Sequence, residues 1–133
     1  MAAYATRTDL DAMGYPSATL AGVSTTIQDD ALDAASSLAD GYLVRRFTLP
    51  LSAWGDDLRR AVVHIAAWDL LCRRGFNPNR EGDAVVEARH DQAMRWLRDV
   101  SAGRVEPQGV TDASPTVADT FGVVVASRPR RGW

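Results

Sequence analysis

The stretch "WGDDLRRAVVHIAAWDLLCRRG", residues 54–75, decides the fold of this chain. Two aspartates stand near its start and two arginines near its end, so both charged pairs complement a helix dipole. The final glycine is a suitable C-terminal cap. Its middle is apolar almost all round, and only His64 and Asp69 interrupt it. A helix of this kind is covered by its neighbours on every side. The sequence therefore predicts a central core helix from about Trp54 to Arg74.

Two helices are predicted before this core helix. The first is short: Thr6 and Asp9 form a capping-box pattern, and a glycine and a proline stop the helix after residue 14. The start signal of the second is Thr25 or Thr26, and after it apolar residues recur at helical spacing from Ile27. Its first turns are rich in aspartate, and we expect the arginine pair 45–46 to lie in its last turn.

A fourth helix is predicted over residues 83–102, and Gly103 ends it. Asp91, Arg95 and Asp99 form a series at i,i+4 spacing on one face, which favours ion pairs along the helix. The face predicted to enter the core carries Val86, Ala93, Leu97 and Val100, with Trp96 beside them.

The character of the chain changes after Gly103. Residues 104–133 are rich in proline, glycine, serine and threonine, and their one short β-prone run is 121–125. Such a segment cannot build a core of its own, so it is either disordered or ordered by binding. The predicted fold is mainly α, a small four-helix bundle-like domain over residues 1–103 with an extended C-terminal arm over residues 104–133.

Composition excludes several classes of protein. The chain has 133 residues, enough for one domain with its own core, and a formal net charge of -2, which gives no global basic footprint for nucleic acid. No stretch is long and apolar enough to span a membrane, and no signal peptide pattern is present, so we expect a soluble cytoplasmic protein. The single cysteine, Cys72, lies in an apolar run and is interpreted as a small core residue in a reducing compartment.

The sequence offers few groups for catalysis. His64 lies inside the core helix, where a hydrogen-bonded core histidine is the usual occupant, and His90 is bordered by acidic residues and is interpreted as solvated. The carboxylates of residues 29–40 lack the turn glycine and terminal glutamate of a calcium loop. No phosphate-binding loop, CxxC pair or nucleophile elbow is present. We therefore expect no catalytic, cofactor-binding or metal site, and no enzyme.

The pair Asp40-Gly41 is unusual for a helix interior. Glycine there costs about 1 kcal/mol relative to alanine, and mid-helix aspartate adds to the cost. Close packing of another backbone against Gly41 would compensate, as would a hydrogen bond from Asp40 to the loop around "TLPL". A helix that bends or frays at this point is an equal alternative.

The segment "LADGYLVRRFTLPL", residues 38–51, resembles the small head-tail connector proteins of Mu-like phages and prophages. Three other segments look similar to the same family and follow in the same order: "YATRTDLDAMG", "LRRAVVHIAAWDLLCRRG" and "ARHDQAMRWLRDVSAGRV". The segment "GRVEPQGVTDASP" departs from the family, which more often continues into a short apolar strand. The motif residues that carry the resemblance are Asp40, Gly41, Tyr42, Leu43, Arg46, Leu49, Pro50 and Leu51.

The resemblance implies a non-enzymatic adaptor without a cofactor. Such a subunit assembles with copies of itself into a ring, twelve-membered to match portal symmetry, between the portal protein and a tail-side connector or tail terminator protein. DNA would pass through its channel without specific binding, and no membrane would be involved. The expected location is the neck of the virion, with assembly in the cytoplasm of the bacterial host.

The end of the chain, "ASRPRRGW", is interpreted as a docking peptide. An aromatic anchor and charge-assisted arginine contacts suit a protein surface on the portal or a neighbouring subunit. The residues concerned are Arg128, Pro129, Arg130, Arg131 and Trp133.

Two other functions remain open from the sequence. In a small DNA-binding module, the same arginines would contact phosphates and Trp133 would stack on a base, although the acidic body argues against it. A small helical regulatory or toxin-neutralising protein would form a low-order oligomer with no affinity for a portal.

Overall fold

The structure, a computed structural model, describes residues 3–14, 23–74 and 81–112. The described residues are mainly helical, which confirms the predicted fold class, and their one β-type pairing is an isolated antiparallel bridge. The elements are α1 (Arg7–Asp9), a π-helical turn (Leu10–Gly14), α2 (Thr25–Leu43), α3 (Asp56–Arg74) and α4 (Glu81–Ala102).

The starts of the helices follow from their caps. The capping box between Thr6 and Asp9 is confirmed: the Thr6 side chain accepts from the Asp9 amide, and the Asp9 carboxylate accepts from the Thr6 amide. The start signal predicted at Thr25 or Thr26 is wrong by a residue: α2 begins at Thr25, and its cap is Ser24, whose hydroxyl accepts from the Ile27 amide at 3.2 Å. Serine and threonine both cap through a side-chain hydroxyl, so a Ser-Thr-Thr run offers three candidate positions.

The end of α2 and the start of α3 differ from the predicted bounds, whereas the end of α4 agrees with the prediction. α2 ends at Leu43, so the prediction that residues 45–46 form its last turn is wrong; they lie in the turn that follows. α3 begins at Asp56, two residues later than predicted, because residues 54–55 belong to the loop before it. Gly103 ends α4 as predicted, with a φ of +83° that favours glycine. The proposed cap at residue 75 lies outside the described residues.

Helix α3 is the centre of the core, as predicted. It packs against α2, α4 and the π-helical turn, and side chains on nearly every side of it are buried. The face predicted for α4 is confirmed: Val86, Ala93, Leu97 and Val100 are buried, and Trp96 packs partly against them. The buried residues of α3 are Leu58, Ala61, Val62, Val63, Ile65, Ala66, Ala67, Leu70 and Leu71.

The predicted surroundings of Cys72 and His90 need correction. Cys72 is exposed, because in the last turn of α3 the core contacts come from Leu70 and Leu71 and the cysteine falls on the outer side. His90 is partly buried and stacks on Trp68 with ring centroids 5.4 Å apart, so it is not simply solvated.

The ion-pair series on α4 also differs from the prediction. Asp99 pairs with Arg104 at 2.9 Å, beyond the end of the helix, and Asp91 lies 3.4 Å from the His90 ring. Neither carboxylate pairs with Arg95 among the ion pairs of the described residues.

Residues 104–112 run back along the loop that joins α2 to α3. The Thr111 amide donates to the Ala53 carbonyl at 2.9 Å, and the Ser52 amide donates to the Thr111 carbonyl at 2.8 Å. In addition, the Gln108 amide donates to the Asp57 carboxylate at 2.8 Å. The first part of the predicted arm is thus packed on the helical body by backbone pairing. The domain boundary at residue 103 stays a prediction, and the β-prone run 121–125 lies outside the described residues.

Gly55 makes this pairing possible, and we expect Gly55→Ala to destabilise the protein. A Cβ at residue 55 would lie 2.5 Å from the Gln108 carbonyl oxygen, a backbone atom, so one of the two backbone segments must move. We expect a loss of about 1–3 kcal/mol in the free energy of unfolding, measured by urea denaturation. Hydrogen exchange should also show loss of protection at the Thr111 amide.

Gly41→Ala is the matched control for this experiment. A Cβ at residue 41 meets nothing within 4 Å, and alanine is the better helix former, so this variant should gain up to about 1 kcal/mol. Equal destabilisation by the two substitutions would contradict the contact assigned to Gly55.

Candidate functional site

Residues 38–51, which carry the family resemblance, form the end of α2 and the loop after it. Leu43 and Leu51 are buried in the core, and Tyr42 and Leu49 are partly buried against it. Pro50 is exposed. Most of the apolar motif residues therefore hold the loop onto the body.

Asp40 is satisfied by Tyr4, not by the loop around "TLPL". The Tyr4 hydroxyl donates to the Asp40 carboxylate, and the Tyr4 amide donates to the Ser36 hydroxyl at 3.0 Å. The Trp54 indole packs edge-on against the Tyr4 ring at 4.8 Å and donates to its carbonyl at 2.9 Å. The predicted hydrogen bond from Asp40 to the loop is wrong, because the carboxylate accepts instead from the Tyr4 hydroxyl of the N-terminal segment. The mid-helix aspartate thus joins the N-terminal segment to α2.

Gly41 is not packed against another backbone. It is exposed, and α2 continues through it to Leu43 without a break. The prediction of close packing at this glycine is wrong for the described residues, as is the alternative that the helix frays at residue 41. A Cβ added at residue 41 would meet no atom of the described residues within 4 Å.

Arg46 links the end of α2 to the end of α4. Its guanidinium donates to the Val100 carbonyl at 3.3 Å and the Val105 carbonyl at 3.4 Å, and pairs with the Glu106 carboxylate. Carbonyls at a helix C-terminus lack partners within the helix, so an arginine fork is suited to them. This motif arginine is a structural clamp.

Removal of the Tyr4 hydroxyl should change both stability and its pH dependence. Burial, the hydrogen bond to Asp40 and its negative charge raise the pKa of Tyr4 well above its ordinary value. A tyrosine with a raised folded-state pKa stabilises fully below about pH 10 and loses that contribution as the pH rises further. Tyr4→Phe should cost about 1–2 kcal/mol at neutral pH, because Asp40 loses its donor.

Denaturation between about pH 10 and pH 12 tests this assignment. The free energy of unfolding should fall more steeply with pH in the parent than in the Tyr4→Phe variant. Tyr42→Phe is the control, since Tyr42 makes no such bond to a carboxylate among the described residues. Parallel curves for parent and Tyr4→Phe would show that the Asp40 contact does not contribute.

A cleft opens where α3, α4 and the π-helical turn meet. One cavity of about 270 Å³ is lined by Ala12, Met13, Arg60, His64 and Arg89. An adjoining cavity of about 260 Å³ shares Arg60 and His64 and continues along the α3–α4 seam. This second cavity is lined in addition by Asp57, Ala61, Gln92, Ala93 and Trp96.

His64 lies at the junction of the two cavities. Burial and the nearby charge of Arg89 lower the pKa of His64, with a smaller effect of Arg60, while a hydrogen bond with the Met13 backbone opposes the shift. The prediction of a hydrogen-bonded histidine on the core helix agrees with this environment. The cleft itself was not predicted from the sequence, although Arg60 and His64 stand at i,i+4 spacing on one face of α3.

Other predicted features can be placed only in part. The docking residues Arg128, Pro129, Arg130, Arg131 and Trp133 lie outside the described residues. Within residues 3–14, 23–74 and 81–112, histidine, cysteine and carboxylate side chains form no cluster suited to a metal ion. None of the described helices combines the length and hydropathy that a bilayer crossing requires.

Comparisons with known proteins cover almost the whole chain. The family model described as Bacteriophage Mu, Gp36 matches residues 4–126. Gene product J of Escherichia phage Mu is 31% identical over 134 residues, which cover 96% of this chain and 90% of that protein. The match includes the N-terminal segment with Tyr4, the motif of residues 38–51 and the start of the arm. The chain therefore belongs to the Bacteriophage Mu Gp36 family and is a Mu-like phage protein.

Proposed function

We propose that this protein is a structural head-tail connector subunit, which forms a ring between the portal and the tail of a phage or phage-like particle. The observation that carries the proposal is the family membership over residues 4–126, because the resemblance of the same segments to connector proteins lies within that span. Gene product J of phage Mu supports the phage origin of the chain at nearly full length.

The described contacts support a scaffold in which the family motif maintains shape. Asp40 and Arg46 each join two distant segments of the chain, and Leu43 and Leu51 are buried. None of these motif residues is among the described residues that line the cleft. We assign the protein no catalytic activity, and its role in this proposal is to present fixed surfaces to neighbouring proteins.

The arm supplies the second half of the proposal. Its start, residues 104–112, is held on the loop between α2 and α3, where the Asp112 carboxylate accepts from the Thr48 amide at 2.8 Å. In the proposed assembly, Arg128, Arg130 and Arg131 contact acidic groups, and Trp133 fills a pocket on the portal or a neighbouring subunit.

Reconstitution with the cognate portal protein tests the proposal. The two purified proteins are mixed, and the products are examined by negative-stain electron microscopy and by light scattering for mass. We expect a ring of twelve subunits seated on the portal. A protein that stays monomeric with the portal at micromolar concentration, or that binds it without forming a ring, would contradict the connector assignment.

The DNA-binding alternative gives a different result in the same preparation. Three of the 15 basic residues lie within 128–131, so the rest of the chain is more acidic than its net charge of -2 indicates. If the protein instead binds duplex DNA with an affinity that falls steeply with salt and is lost on deletion of residues 128–133, the DNA-binding function is the correct one.

A further inference from the structure

The cleft between α3, α4 and the π-helical turn concentrates positive charge. Arg60 and Arg89 are both exposed at its walls, and the half-buried His64 lines the same cavity. Among the described residues, no carboxylate lines this cavity of about 270 Å³. The cleft is therefore shaped and charged to receive an anionic group.

The two arginines also have no acidic partner within the described residues. Arg59, which precedes Arg60 in sequence, differs in this respect, because it pairs with Asp56 and lies 3.7 Å from the Asp9 carboxylate. Asp57 is close in sequence to Arg60, but its two oxygens accept from the Leu58 and Gln108 amides at 2.8 Å. Arg60 and Arg89 are therefore left without an ion-pair partner among the described residues.

Helix α2 carries a complementary surface. Asp30 and Asp33 are exposed, one turn apart, and have no ion pair among the described residues, whereas Asp29 pairs with Arg7 at 3.1 Å. They lie on the side of α2 opposite its buried residues. The core-facing residues of α2 are Ala31, Leu32, Ala35, Ser36, Ala39 and Leu43.

Apolar area accompanies the charges on both surfaces. Ile27 and Leu38 of α2 are 37% and 40% exposed, which is high for large aliphatic side chains. The cavity that continues from the cationic cleft is lined partly by Ala61, Ala93 and Trp96. Exposed ion pairs alone contribute little to stability, so adjoining apolar area is what a stable contact requires.

We propose that Asp30 and Asp33 of one subunit dock into the Arg60–His64–Arg89 cleft of the next subunit in the ring. The proposal rests on the ring assembly proposed above. A closed ring needs a heterologous interface, in which two different surfaces of the same chain match each other. The acidic surface belongs to α2, and no residue of α2 lines the cleft, so one subunit can present both surfaces to two neighbours. The charges set orientation and specificity, and the apolar residues beside them supply buried area.

Charge reversal on each surface, followed by mixing, tests the contact. One full-length variant carries Arg60→Glu and Arg89→Glu, and the other carries Asp30→Arg and Asp33→Arg. Each variant is first incubated separately with the portal protein. The two variants are then mixed in equal amounts and incubated with the portal protein together. We expect no ring from either variant alone and a ring from the mixture, because alternating subunits restore every contact around an even-numbered ring.

Further variants separate the contact from folding. The chain with all four substitutions should form rings without a second variant. A control variant with Arg95→Glu and Arg98→Glu should assemble like the parent, because these two exposed arginines of α4 lie outside the cleft. Should a reversed variant fail to fold by circular dichroism, Arg60→Gln with Arg89→Gln takes its place. That variant should raise the protein concentration for half-maximal ring formation about tenfold.

Rings from each reversed variant alone would overturn the proposed contact and leave the connector function intact. Folded variants that do not assemble in the mixture would overturn it as well. A parent protein that forms no ring would overturn both the contact and the connector function.

Discussion

Deletion of residues 128–133 is expected to abolish assembly on the portal while the subunit stays folded. The core of the described residues is built from α2, α3, α4 and the N-terminal segment, and residues 128–133 are interpreted as a docking peptide. The melting temperature should therefore change by no more than about 2 °C, a surface-sized effect of under about 0.5 kcal/mol. Assembly should be lost because the aromatic anchor and three arginines are removed together.

A scrambled tail of the same six residues is the control for this deletion. It keeps the charge and the length of the chain but alters the spacing between the arginines and Trp133, so it should also fail to assemble. If the scrambled tail restores assembly, non-specific charge is sufficient and the docking-peptide interpretation is wrong. Loss of folding on deletion would instead mean that the tail belongs to the core.

Leu43→Ala should be the most destabilising substitution of a family-motif residue. Leu43 is fully buried at the end of α2, and truncation of a fully buried leucine typically costs about 3–5 kcal/mol, through lost burial and the cavity that remains. Small domains are stable by only about 5–15 kcal/mol, so much of the variant could be unfolded at 37 °C. Urea denaturation with a far-ultraviolet circular dichroism signal measures the change.

Leu38→Ala is the matched control, since it makes the same chemical change on the same helix. Leu38 is 40% exposed, and we expect a cost below about 1 kcal/mol. Similar losses for the two variants would contradict the assignment of Leu43 to the core and of Leu38 to the surface.

The helical body was predictable because its signals are local. The apolar run of α3 and the spacing of Val86, Ala93, Leu97 and Val100 in α4 each lie within one helix, and both predictions are confirmed. The cap of α2 was missed by one residue, because Ser24 and the two threonines after it all carry a hydroxyl that can cap a helix. Local rules therefore give the elements but leave their ends uncertain by a residue or two.

Contacts between distant segments were not predictable in the same way. Asp40 was expected to need a partner, but its partner Tyr4 lies 36 residues earlier, and no spacing rule relates them. Residues 104–112 were placed in the arm because they lack apolar periodicity, whereas they are held by backbone pairing with the loop before α3. Pairing of this kind depends on backbone amides and carbonyls, which every sequence carries.

The candidate site shows the same limit. Arg60 and His64 share one face of α3 and could have been noticed together, but Arg89 joins them only through the packing of α4 on α3. Their significance also depends on the tertiary structure, because only the tertiary structure shows that Arg60 and Arg89 make no ion pair with a carboxylate among the described residues. The acidic start of α2 was interpreted only as a favourable helix start, and its exposure adds a second role in our proposal.

The phenotype of a phage that lacks this gene tests the central claim most directly. Particles from a strain with an in-frame deletion are examined by electron microscopy, with the intact gene supplied in trans as the control. A connector between portal and tail predicts DNA-filled heads and complete tails that are not joined, and restoration of whole particles by the intact gene. Joined, infectious particles in the absence of the protein would contradict the connector function.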